Sequence, residues 1–161
     1  MSNILITSAG RRVELVNSFK TECGKLNRKL KVFCTDVNPE LSSACKVADL
    51  YFQAPKVTSK EYISFLKQTC SDNSIVLIVP TIDTELLILS EHREEFLELG
   101  INIVISDTSL IQACRNKNYT ADLFNKINIK TPAIYNVKNL SYPCFVKPYD
   151  GSCSVDAFAL K

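Results

Sequence analysis

The chain has 161 residues, of which 46% are apolar and 22% charged, with 19 basic and 17 acidic side chains giving a net charge of +2. That length suits one domain, or one domain and part of another, and the composition can bury a core, which excludes intrinsic disorder. No apolar run approaches the roughly 18 residues of a membrane span, and a small, dispersed charge does not mark a nucleic-acid binder.

The opening Met1-Ser2-Asn3-Ile4 puts no basic segment ahead of its short apolar run, so no signal peptide is expected. Seven cysteines at 23, 34, 45, 70, 114, 144 and 153 form no C-x-x-C pair, and the only histidine is His92. A zinc site built from paired ligands is therefore not expected. Most of the cysteines lie in apolar stretches, which points to buried, reduced thiols and a cytoplasmic location.

Asn3–Thr7 reads as a buried strand stopped by Ser8-Ala9-Gly10. Val16, Phe19, Cys23 and Leu26 then recur at helical spacing, with Gly24 interrupting or ending that helix. Lys31–Thr35 is the second strand, ending at Asp36, and Asn38-Pro39 opens a turn. Leu50–Gln53 is a short third strand, and Lys60–Cys70 is helical with Ile63, Leu66 and Cys70 on one face. Ile75–Val79 is the most apolar run and suits a central parallel strand covered on both faces. A longer helix runs from about Asp83 to Leu99, with Gly100 where a C′ residue belongs. Ile101–Ile105 is a further strand, and Thr108–Cys114 a short helix capped by Asp107 or Thr108.

This alternation predicts an α/β fold: a Rossmann-like open parallel sheet over residues 1–115. The pattern then changes. Asn116–Ile127 is helical, and Ala133–Tyr135, Cys144–Lys147 and Val155–Leu160 read as short strands without helices between them. Residues 116–161 are thus expected to be a partial α+β subdomain, too short to close a core of its own.

Ligands of open α/β sheets bind at the carboxyl ends of the strands. Gly10 and Arg11 follow the first strand, where small residues, a helix start and two arginines would favour an anion; an ordinary tight turn reads as well. Asp36 ends the second strand at a spacing suited to a ribose-binding acid; the absence of G-x-G-x-x-G disfavours a classical NAD site, and a turn residue ahead of Asn38-Pro39 reads as well. Thr81, Asp83 and Glu85 follow the most buried strand and can cap the next helix, contact a ligand, or both. Lys147 ends an apolar strand, where an ammonium group benefits from an anionic partner, and a loop with Asp150, Gly151, Ser152 and Ser154 can offer N–H groups and hydroxyls to phosphate. A hairpin loop with a solvated lysine fits those residues too. No G-x-x-x-x-G-K-[ST] occurs, and His92 lies among charges on a helix and reads as solvated.

Four segments together resemble the ATP-grasp superfamily. Asn3-Ile4-Leu5-Ile6-Thr7-Ser8-Ala9-Gly10-Arg11-Arg12 and Pro80-Thr81-Ile82-Asp83-Thr84-Glu85-Leu86 resemble carbamoyl-phosphate-synthase-like members. Asn116-Lys117-Asn118-Tyr119-Thr120 with Lys130-Thr131-Pro132 is similar to the helix leading into the ATP-grasp domain, and Tyr142 to Pro148 with Asp150 to Ser154 resembles its strand-lysine-loop unit. The resemblance implies a pre-ATP-grasp domain at 1–115 and the start of an ATP-grasp domain at 116–161. It implies ATP contacts from Lys117, Lys147, Asp150, Gly151, Ser152 and Ser154, and substrate contacts from Gly10, Arg11, Asp36, Thr81, Asp83 and Glu85. The implied chemistry is ATP-dependent activation of a small carboxylate as an acyl phosphate, with Mg2+ on the phosphates.

Cys153 and Val155 stand where other members often carry small residues, and only Asp156 follows the loop as an acidic residue. No magnesium ligand is therefore assigned here; the ligase reading belongs to a parent protein, and this chain alone is expected to be inactive. A homodimer, or a second chain completing the ATP-grasp domain, is the expected partnership. The competing readings are a non-catalytic nucleotide- or sugar-binding module, a dinucleotide-dependent oxidoreductase, and a structural piece completing another chain.

Overall fold

The structure, a computed structural model, describes residues 2–26, 29–151 and 154–161. Ser152 of the expected phosphate loop lies outside the described residues. The chain forms two compact units, Met1–Ser106 and Asp107–Lys161.

In the first unit the apolar runs become strands β1 (Asn3–Thr7), β2 (Val32–Asp36), β3 (Leu50–Gln53), β4 (Ile75–Pro80) and β5 (Asn102–Ile103). They pair in parallel in the order β3-β2-β1-β4-β5. Order reverses at β1, so the crevice between the carboxyl ends of β1 and β4 is the switch point at which such sheets bind ligands. The β1–β4 register slips by one residue between Asn3 and Ile4.

Side chains alternate across the sheet because the strand period is two. Leu5, Phe33, Ile78 and Ile103 face one way, under α3 (Tyr62–Asp72), α4 (Asp83–Glu91) and α5 (Arg93–Glu98) through Tyr62, Leu66, Leu89 and Phe96. Ile6, Val32 and Cys34 face the other way, under α1 (Val13–Lys25) and α2 (Ser43–Val47) through Val16, Ala44 and Cys45. Each fully buried leucine or phenylalanine here contributes about 1.5–3 kcal/mol relative to exposure.

Three first-unit elements differ from the sequence expectation, the first being β5, which covers only Asn102–Ile103 of the expected Ile101–Ile105. The helix expected from Asp83 to Leu99 is broken at His92, after which α5 packs on β5 with Phe96 fully buried. The stretch after Asn38-Pro39 is a 3-10 turn, Pro39–Leu41, and then α2. Gly100 holds the expected C′ position: its φ is +74°, its N–H donates to Leu97 O at 2.9 Å, and Ile101 N–H reaches Phe96 O at 2.9 Å. The described cysteines are free thiols; Cys23, Cys34, Cys45 and Cys70 are buried, and Cys114 is exposed.

The second unit has α6 (Thr108–Arg115), α7 (Lys117–Lys126) and an antiparallel pair, β6 (Cys144–Val146) and β7 (Phe158–Leu160). Asp107 caps α6 through Leu110 N–H, and Asn116 caps α7 through the N–H groups of Asn118 and Tyr119. Ala133–Tyr135 is not a strand, and the strand expected at Val155–Leu160 begins only at Phe158. Ile134, Val137, Tyr142, Phe145, Tyr149, Val155 and Phe158 are all exposed. A two-stranded ribbon with uncovered apolar residues holds little stability by itself.

Candidate functional site

Two groups of candidate residues come together, one in each unit. In the first unit they gather where β1, β2 and β4 end. Ser8 (φ +50°) and Gly10 (φ +53°) both lie in the left-handed region, which folds the chain sharply from β1 into α1. Asp36 anchors this turn, its Oδ2 accepting Gly10 N–H at 2.9 Å and its Oδ1 accepting Asn38 N–H at 3.0 Å. Ser42 secures the other side: its hydroxyl donates to Gly10 O at 2.8 Å and accepts from Cys45 N–H at 3.3 Å, and Ala44 N–H also reaches Gly10 O.

Glu85 organises the β4 end. It is fully buried, and its carboxylate accepts four hydrogen bonds. Thr81 N–H and Ile82 N–H reach Oε1 at 2.9 and 3.3 Å, and the hydroxyls of Ser8 and Tyr62 reach Oε2 at 3.1 and 2.6 Å. Ile82 is the N-cap of α4 and has no side-chain acceptor; Glu85 at N3 supplies only the returning half of a capping box, accepting the N-cap N–H of Ile82. Burial pushes the Tyr62 phenol well above its ordinary value, and the charge and hydrogen bond of Glu85 push it further.

Two contacts close the crevice from its rim. The Thr81 hydroxyl lies 2.9 Å from Thr7 O and 2.7 Å from Ser8 O, sharing one proton between them. Arg12 Nη2 donates to Thr81 O at 2.6 Å, so an arginine on the β1 side is tied to the β4 side.

This geometry limits what the turn can do. The N–H groups of Ala9, Gly10, Arg12 and Val13 are bonded within the protein, and only that of Arg11 makes no bond to the described residues. A pyrophosphate seated on the turn in the dinucleotide manner would lack the Gly10 donor, and each Asp36 oxygen already accepts a backbone N–H. Arg11 and Asp83 are exposed, so their side chains are the ones free to meet a solute.

In the second unit, Lys117 opens α7. Its N–H donates to Tyr149 O at 2.9 Å and its Nζ to Gly151 O at 2.8 Å. Arg115 pairs with Asp150, Nη2 to Oδ1 at 3.5 Å. The loop after β6 is thus held to the α6–α7 junction by two cations. Lys147 directly follows β6, is exposed, and makes no hydrogen bond or ion pair to the described residues. Ser154 has φ +58° and is exposed. Among the described residues, no three His, Cys, Asp or Glu side chains converge as a metal site would need.

The sequence alone did not point to Tyr62, Ser42 or Arg115. Tyr62 lies 23 residues from Glu85 and Arg115 lies 35 from Asp150, so only the fold joins them. For Ser42, the pattern of a serine three residues before Cys45 was the available capping signal.

A family model described as PylC-like, N-terminal domain, matches residues 4–104. No curated protein matches the sequence. Among solved structures, a Rhizobium etli pyruvate carboxylase variant (T882A, with acetyl coenzyme A) is similar over 100% of this chain and 15% of its own, at 16% identity and a TM-score of 0.67. An L-amino acid ligase from Bacillus licheniformis is similar over 99% of this chain and 38% of its own, at 18% identity and a TM-score of 0.66. The biotin carboxylase domain of Hydrogenobacter thermophilus 2-oxoglutarate carboxylase, solved with MgADP and bicarbonate, covers 98% of this chain and 37% of its own, at 14% identity and 0.66. At these identities the likeness is one of fold, and the chain spans well under half the length of each.

Proposed function

Because the chain belongs to the PylC-like N-terminal domain family, a pre-ATP-grasp domain type, we propose that it is the N-terminal part of an ATP-dependent ligase that activates a small carboxylate. In this reading residues 1–115 act as the pre-ATP-grasp domain and residues 116–161 begin the ATP-grasp domain. The observation that carries it is the clasp in the second unit, where Lys117 Nζ donates to the Gly151 carbonyl, in a loop that also follows the exposed Lys147, whose side chain has no partner among the described residues.

Lys147 would meet phosphate oxygens as a point charge, Lys117 would position the loop over them, and Gly151 and Ser154 would offer backbone and hydroxyl groups. Asp150 serves through its pair with Arg115, which fixes the loop's base. ATP would supply the phosphoryl group, with Mg2+ bound by residues from the remainder of the enzyme. On the substrate side, Arg11 and Asp83 would contact the small molecule, while Gly10, Asp36, Thr81 and Glu85 shape the crevice through the bonds described above. The carbamoyl-phosphate-synthase-like branch is the finer reading, supported by the segments Asn3–Arg12 and Pro80–Leu86. The exposed apolar residues of the second unit support a further polypeptide, in the same or a second chain, that covers them.

Calorimetry with MgATP tests this on the chain and on a longer protein carrying the remainder. The expected result is weak or no binding to the chain and clear binding to the longer protein. Absence of binding to the longer protein overturns the reading. Small-molecule binding by residues 1–115 alone, as tight as by the whole chain, would favour the non-catalytic module instead.

A further inference from the structure

At the carboxyl ends of β1 and β2 the strand register places Thr7 beside Thr35, one step beyond the Ile6–Cys34 pair. Both side chains point to the α3 face, because Leu5 and Phe33, two residues earlier on each strand, pack there. Both residues are fully buried, and both hydroxyl oxygens lack a hydrogen-bond partner among the described residues. Buried hydroxyls left unpaired are uncommon, and each calls for an unseen partner.

The surrounding protein has little left to offer them. Glu85 already accepts four hydrogen bonds, which fills the lone-pair sites of a carboxylate. Thr7 O already accepts from the Thr81 hydroxyl. The Tyr62 hydroxyl spends its proton on Glu85 Oε2, which leaves its oxygen as an acceptor. The Thr7 hydroxyl lies near enough to Tyr62 to favour the ionised phenol, yet it forms no hydrogen bond of normal geometry.

Adjacent strands lie about 4.8 Å apart. Two side-chain oxygens on such neighbours, beyond direct reach of each other, are within reach of one atom placed about 2.8 Å from each. The missing partner must bond two hydroxyls, and a neutral molecule with two donors and two acceptors meets that demand while its own proton can turn to the phenol oxygen. We infer that a single internal water is bound between Thr7, Thr35 and Tyr62, beneath the crevice floor. It would tie the end of β2, whose Asp36 holds the Gly10 turn, to β1 and to the start of α3.

The test uses the whole chain and compares Thr7→Val, Thr35→Val and the double variant by thermal unfolding and by oxygen-17 relaxation dispersion, which counts long-lived internal waters. With a bound water, the double variant melts several degrees lower and loses one long-lived water, and Thr35→Ser retains it. If valine leaves the melting temperature unchanged or raises it, the hydroxyls were simply unsatisfied and the inference is overturned. Should the double variant fail to fold, a crystal structure of the native chain decides: electron density within hydrogen-bond distance of both hydroxyls supports the water, and its absence overturns it.

Discussion

The Ser8 hydroxyl meets the Glu85 carboxylate at 3.1 Å across 77 residues of sequence, and the same oxygen accepts the Tyr62 hydroxyl at 2.6 Å. One buried side chain thereby joins the turn after β1, the start of α3 and the start of α4. Glu85→Ala leaves two backbone N–H groups and two hydroxyls without their acceptor and is expected to cost about 3–5 kcal/mol. Glu85→Gln keeps an oxygen for the two N–H groups, but its NH2 can only donate, so the Ser8 and Tyr62 hydroxyls must turn to accept; a smaller loss of about 1–2 kcal/mol is expected. Urea unfolding of both variants checks the order; equal losses would mean that the carboxylate charge, rather than acceptor count, holds the site.

Tyr62 makes the stability of the first unit sensitive to alkali. Its folded pKa lies above the unfolded value of about 10. Above the unfolded value, the unfolded chain releases a proton that the folded chain keeps, so the stabilisation is full below about pH 10 and declines as pH rises. Cys70, pushed up to about 12 by burial, acts in the same direction from about pH 9. Tyr62→Phe removes the phenol's share, so its deficit against the native chain should shrink between pH 9 and pH 11 in chemical denaturation. A deficit that stays constant or widens would contradict the assignment.

The strands were readable in the sequence because their information is local: Asn3–Thr7, Leu50–Gln53 and Ile75–Val79 are short apolar runs bounded by breakers. α2 was not, since Ser43–Val47 is shorter than two turns and shows no helical period. Ala133–Tyr135 has strand composition but pairs with nothing among the described residues, and pairing is a non-local property. The site was legible as a set of strand ends but not as a network. The local contacts of Asp36 and Glu85 match the turn and helix-start readings of the sequence, whereas the bonds of Asp36 to Gly10 and of Glu85 to Ser8 and Tyr62 join distant segments that no spacing rule gives.

The glycines separate conformational need from packing. Gly24 lies within α1 and an added Cβ would meet nothing within 4 Å, so Gly24→Ala should stabilise by about 0.5–1 kcal/mol. Gly100 has equally open surroundings, but its φ of +74° disfavours any L side chain, so Gly100→Ala should destabilise by about 1 kcal/mol. Opposite shifts of melting temperature in these two variants are the expected outcome, and shifts of the same sign would contradict one of the two backbone assignments.

Lys147 and Lys117 should separate nucleotide affinity from loop order in a longer protein that binds MgATP. Lys147 is exposed and has no bond to the described residues, so Lys147→Ala should leave the melting temperature unchanged. Losing a charge-assisted bond to phosphate corresponds to about 1.5–3 kcal/mol, or roughly a 10- to 150-fold weaker dissociation constant. Lys117→Ala breaks the bond to Gly151 O, which fixes the loop even without nucleotide. Amide exchange in the segment 149–151 should therefore accelerate in the nucleotide-free Lys117→Ala protein and stay unchanged in Lys147→Ala. Faster exchange in both variants would mean that Lys147 also holds the loop, and calorimetry showing no loss of affinity in Lys147→Ala would remove that lysine from the nucleotide site.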